Sequence, residues 1–102
     1  MVVDFKVPMR DRKGNIARDG EREIILSDPL CEALDKQSGK ITSRKAVGWS
    51  RAMARGEPLT LDDADFQDLY SWIQNKEEFF NIFKENLLDV MDTAKAKKEG
   101  TK

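Results

Sequence analysis

Six of the chain's eight aromatic residues fall between Phe66 and Phe83, spread over two helical patterns that each open on polar residues. Phe66, Leu69, Tyr70 and Ile73 recur at i, i+3, i+4 and i+7, and Phe79, Phe80, Phe83, Leu87, Val90 and Met91 carry the pattern onward. Such spacing lays an apolar stripe along a helix, and that stripe must be buried against another element. The stretch therefore demands two helices on a shared core, with these aromatics inside it. Thr60-Leu61-Asp62-Asp63 supplies the first start, because a polar cap and an acidic first turn suit the positive end of a helix dipole. Asn75-Lys76-Glu77-Glu78 reads as a stop and as the capped start of the last helix.

With 102 residues the chain is one domain, and at that size roughly 60–65% of the unfolded surface is buried, enough for a single core. Hydrophobic residues make up 39% and charged residues 36%, a balance too apolar for wholesale disorder. The lone Cys31 forms no internal disulfide, so nothing ties the fold to an oxidising compartment and the cytoplasm is the expected location. Charges at Asp4 and Lys6 interrupt the apolar run that a signal peptide needs. No apolar stretch approaches the ~18–20 residues of a membrane span, so no membrane is expected among the partners.

Val3, Phe5 and Val7 alternate with Asp4 and Lys6, the period of a half-buried strand, and Pro8 ends it. Turn signals at Asp11–Asn15 and at Asp19-Gly20 follow, and Glu23–Leu26 is the natural returning strand. The product is a small antiparallel hairpin or three-stranded meander that needs helices packed on it for stability. Ser27-Asp28-Pro29 then starts a short helix carrying Leu30, Ala33 and Leu34 on one face, with its end near Ser38-Gly39. Thr42 or Ser43 caps the next, which runs to about Arg55 with Ala46, Val47, Trp49, Ser50, Met53 and Ala54 along one arc. The fold class is α+β: a hairpin region over residues 1–26 and a bundle of about four short helices over 27–92. From Thr93 the lysines and Gly100 offer no apolar anchor, so residues 93–102 read as a frayed end and flexible tail.

The chemistry is sparse. Histidine, the commonest general acid or base at neutral pH, is missing, which removes serine–histidine and cysteine–histidine arrangements and most zinc sites. Cys31, beside Leu30 and Ala33, reads as a small buried side chain rather than a nucleophile. Asp62, Asp63, Asp65 and Asp68 form the one carboxylate cluster, but a calcium loop counted from Asp62 would place Gln67 and Ile73 where glycine and glutamate belong. Helix-start acidity and a solvated face explain these aspartates. Gly14 and Gly20, among Arg10, Arg12, Lys13, Arg18 and Arg22, fit no phosphate-cradling pattern and read as turn glycines. No catalytic residue, cofactor or metal is expected, and the chain is not expected to be an enzyme.

Two surface features remain. Arg44, Arg51 and Arg55, helped by Lys40 and Lys45, line one edge of the second helix over about 16 Å, a spacing able to follow a phosphate backbone. The overall net charge of −1 opposes nucleic-acid binding, and a solvated face or a partner for the acidic side of the next helix is the competing reading. Trp72 falls on the wheel near Leu61, Asp65 and Asp68, away from the stripe of Phe66 and Ile73. Two placements are open for it: an exposed anchor rimmed by acids, as at the centre of a protein interface, or a ring covered by the hairpin or the first helix.

The series Val7-Pro8-Met9-Arg10-Asp11-Arg12-Lys13-Gly14, then Cys31-Glu32-Ala33-Leu34, Arg44-Lys45-Ala46 and Leu59-Thr60-Leu61-Asp62-Asp63-Ala64-Asp65 resembles small uncharacterised proteins of tailed phages and prophages. The resemblance spans about residues 5–91 and rests on turns and caps, with no active site to carry over. It implies an accessory protein of virion (tail) assembly or of phage regulation. The expected function is a non-enzymatic protein-interaction module that binds another protein or itself through Trp72, Leu61, Asp65 and Asp68. The alternative is a nucleic-acid-associated regulator using Lys40, Arg44, Lys45, Arg51 and Arg55.

Overall fold

The computed structural model describes residues 1–100. Its elements run β1 (Val2–Val3), β2 (Arg18–Asp19), β3 (Arg22–Glu23), α1 (Ser27–Lys36), α2 (Ser43–Ala54), β4 (Leu59–Thr60), α3 (Asp63–Gln74) and α4 (Asn81–Gly100). The architecture is α+β, with two small antiparallel strand pairs and four helices among the described residues.

The N-terminal meander follows its turn chemistry. Asp11 accepts hydrogen bonds from the Lys13 and Asn15 backbone N–H groups, and Gly14 takes a φ of 84° that a β-carbon would penalise. The strand segment through Phe5, Val7 and Met9 meets the returning chain as expected: Ser27 N–H donates to Phe5, Leu26 to Val7, and Met9 to Ile24. β2 and β3 close a second hairpin around Gly20. One pairing was not visible in the local pattern. Val2 and Val3 lie antiparallel to Thr60 and Leu59, a partner far along the chain.

Val3 and Phe5 are buried while Asp4 and Lys6 are exposed, so the period of two holds although the regular ladder covers only β1. Helix caps follow the sequence less uniformly. Thr42 accepts from Lys45 N–H and Asp62 from Asp65 N–H, both with side-chain oxygens at the N-cap. At α1 the expected Ser27 cap is replaced by Leu26, whose side chain makes no capping bond, and Ser27 is itself buried inside the helix. The last helix begins at Asn81 rather than at Glu77 or Glu78, because Lys76 and Phe79 form an extra turn in which Phe79 N–H donates to the Lys76 carbonyl.

α1 packs on α2 and α3 on α4, while β1 touches α4 and β4 touches α2. One cluster results, with Leu30, Leu69, Ile73, Leu87 and Met91 fully buried. Asn86 fastens α4 to the first turn by two hydrogen bonds to one residue: Arg10 N–H donates to its side-chain oxygen, and its amide donates to the Arg10 carbonyl.

Two expectations are corrected. Phe80 is 80% exposed, because the late start of α4 leaves it outside the stripe in which Phe83, Leu87 and Met91 are buried. The chain from Thr93 does not leave the helix: α4 continues to Gly100, and Lys98 pairs with Asp63 at the start of α3, tying the end of one helix to its antiparallel neighbour. Thr101 and Lys102, the end of the expected tail, lie outside the described residues.

Leu87→Ala is expected to cost about 3 kcal/mol of unfolding free energy in urea, the usual loss for a fully buried leucine. Phe80→Ser is expected to change it by less than about 0.5 kcal/mol.

Candidate interaction groove at Trp72

Trp72 sits in the last turn of α3, on the side facing the connection between α1 and α2. Its ring is neither fully exposed nor covered. One edge meets Phe79 at 90° with centroids 5.7 Å apart, and Phe79 in turn stands edge-on to the buried Phe83 at 5.0 Å. Another edge faces Gly39, where an added β-carbon would lie 3.4 Å from the ring; Gly39 has a φ of 59°, so glycine suits both the turn and the close approach. The remaining surface opens on a groove of about 1080 Å³ between the α1–α2 connection and the end of α3.

Polar groups frame that groove unevenly. Lys76 lies over the Trp72 ring with its ammonium 5.2 Å from the centroid. The same ammonium points at the Gln37 carbonyl, 3.5 Å away at the C-terminal end of α1, and at Glu78, 3.8 Å away. Asp68, one turn before Trp72, lines the groove and is exposed, and it forms no ion pair among the described residues.

The other expected interface residues are placed differently. Leu61 is only 1% exposed: β4 carries the chain back beside β1, and Leu61 N–H donates to the Met1 carbonyl, which turns its side chain into the core. It is not part of the rim. Asp65 is half-buried and engaged by Lys45 at 2.7 Å, a bridge between α2 and α3, and that hydrogen bond raises the Lys45 pKa. Trp72 and Asp68 thus share the groove, while Leu61 and Asp65 serve the fold.

The basic stripe is divided in the same way. Lys45 is taken by Asp65, and Arg55 pairs with Glu57 at 3.1 Å, which lowers the Glu57 pKa. Lys40, Arg44 and Arg51 remain exposed and form no ion pair among the described residues.

Among the aspartates, Asp62 caps α3, Asp63 is held low by Lys98, and no group of three or more metal-ligating side chains converges among the described residues. Cys31 is partly buried and its Sγ contacts the Ser50 carbonyl at 3.5 Å. Burial is the main cause of its raised pKa, with smaller contributions from Asp35 and Asp28.

Gln37, Gly39, Lys76 and Phe79 were not among the interface residues expected from the sequence, which placed Gly39 and Lys76 at helix ends and Phe79 in the core. Lys76 carried a usable signal, standing four residues after Trp72, the spacing at which helical side chains meet. A second concavity of about 770 Å³ lies between the N-terminal segment and α4 and gathers the exposed Val2 and Ile82. No helix among the described residues is long and apolar enough to cross a membrane. Comparison with protein-family models, curated protein sequences and solved structures returns no match.

The raised Cys31 pKa fixes the direction of its reactivity. Alkylation by iodoacetamide near neutral pH is expected to run more slowly in the folded protein than in urea, and to rise with pH later than for a free thiol.

Proposed function

We propose that this chain is a non-enzymatic interaction module that holds a partner protein in the groove beside Trp72. The observation that carries the reading is the divided setting of that ring: one edge is fixed by Phe79 and Gly39, and its other surface lines an open groove. A large aromatic side chain held rigidly at the wall of a concave surface suits an interface anchor, since little conformational entropy is lost when it is covered. The lack of histidine and the raised Cys31 pKa support a binding role over a catalytic one. The resemblance in its turns and caps to small phage and prophage proteins supports a part in virion assembly, in the cytoplasm of the host.

The test begins with peptides selected from a random displayed library on the immobilised protein. Selected peptides are expected to bind Trp72→Ala at least about tenfold more weakly and to shift the amide resonances of Gly39 and Asp68. The substitution itself is expected to cost about 1–2 kcal/mol, because the ring is only partly buried. Peptides that bind Trp72→Ala unchanged would sink the proposal.

A second reading rests on Lys40, Arg44 and Arg51, which are exposed and form no ion pair among the described residues while Lys45 and Arg55 are engaged. Arg44 and Arg51 stand about 10 Å apart along α2, a reach of few phosphates. On this reading, duplex DNA affinity falls with salt at a log–log slope of about −2 to −3, and Arg44→Ala with Arg51→Ala flattens it. A salt-independent or undetectable interaction removes this reading.

A further inference from the structure

We infer that the face of Trp72 is a cation site occupied in the free protein by the chain's own Lys76, and that the groove's partner is a basic segment whose arginine or lysine displaces it. This names the partner chemistry of the groove and rests on the groove being a docking site.

Lys76 is held without being well satisfied. Its side chain is only 14% exposed, yet its polar contacts are the Gln37 carbonyl at 3.5 Å and the Glu78 carboxylate at 3.8 Å, both at the long end of useful distances. An ammonium has three donors, and these two long contacts leave it short of close partners in place of the water it has given up. The Trp72 ring at 5.2 Å and the carbonyl end of α1 supply the rest of its stabilisation. A ring face, a helix C-terminus and a carboxylate together form a place for a positive charge.

Lys76 is attached in a way that lets it leave. It lies just beyond α3, with its backbone fixed by Lys76 N–H donating to Ile73 and by Phe79 N–H donating to Lys76, so the side chain can swing without disturbing the helix. In water the ammonium regains hydration and rotamer freedom. A guanidinium replaces it with a planar fork of five donors and stacks on the ring better than an ammonium does. Asp68 and Glu77 line the same groove as open carboxylates, neither in an ion pair among the described residues. Lys36, Lys40 and the capped N-terminus of α2 line it too, so the preference for a cation is local to Trp72 rather than a property of the whole groove.

The test is calorimetric titration, in about 150 mM salt to screen long-range attraction, with a blocked peptide of alternating arginine and glycine and with its norleucine-for-arginine counterpart. The arginine peptide is expected to bind, and Trp72→Ala to abolish that binding. Lys76→Ala and Lys76→Gln are each expected to tighten it about threefold to tenfold. The glutamine variant removes the charge but keeps most of the side chain, one atom shorter than lysine, which guards against a result due to lost packing. Equal or weaker binding by both Lys76 variants overturns the inference. Norleucine peptide binding that matches the arginine peptide and depends on Trp72 overturns the cation site while leaving the groove as a docking surface. Binding of either peptide that ignores Trp72 overturns both.

Discussion

Two hydrogen bonds join Met1 to Leu61, the N-terminal amino group donating to the Leu61 carbonyl at 2.7 Å and Leu61 N–H donating back to Met1 at 2.8 Å. With the Val2–Thr60 and Val3–Leu59 register beside them, they close the chain across its first sixty residues. Closing so long a loop loses entropy, although each doubling of length adds only about 0.6 kcal/mol. What offsets the loss is apolar: Val3, Leu59 and Leu61 are all buried, and the strand pair lies between α2 and α4. The pairing thereby brings the two helix pairs onto one core, and it fixes where α3 begins.

The groove follows from that arrangement. α3 starts at Asp63 immediately after β4 and runs twelve residues, so its last turn, with Trp72, arrives beside the connection that joins α1 to α2. The bridge from Lys45 to Asp65 holds the near end of the two helices together, and farther along α3 the surfaces part around Gly39 and the Trp72 ring. Phe79 is placed by the extra turn before α4, and its edge-on contact holds one edge of the Trp72 ring. The position of Lys76 over the ring depends on that same turn.

Much of the fold was legible because it is written in local chemistry. Thr42 caps α2 since a short side-chain oxygen reaches a free N–H three residues ahead whatever the rest of the chain does, whereas the cap of α3 moves from Thr60 to Asp62 because Thr60 is drawn into the pairing with Val2. The stripe of Phe66, Leu69 and Ile73 is buried because helical period alone puts those residues on one face. Where the reading failed, a distant contact decided. The wheel placed Leu61 beside Trp72 by extending α3 backward, yet Leu61 belongs to an extended segment whose direction is set by Met1. Phe80 fits the stripe by spacing but lies before the first residue of α4, in a stretch whose turn satisfies its backbone bonds locally. The Lys-rich sequence after Thr93 stays helical beside α3, where Ala94 packs against the core and Lys98 meets Asp63.

The sequence by itself determined the class of fold, the order of the helices, the Thr42 cap and the buried stripe of Phe66, Leu69 and Ile73, because those depend on period and on hydrogen bonds spanning a few residues. It also separated Trp72 from the buried stripe. Only the tertiary structure decided what that separation means. Asp65 and Lys45 are spent on each other across two helices, Leu61 is drawn inside by the N-terminal strand, and of the three acidic or apolar neighbours read from the wheel only Asp68 is left in the groove. A ring's open surface is settled by which elements fail to cover it, and that depends on distances between residues such as Gly39, Trp72 and Phe79 that no local spacing encodes.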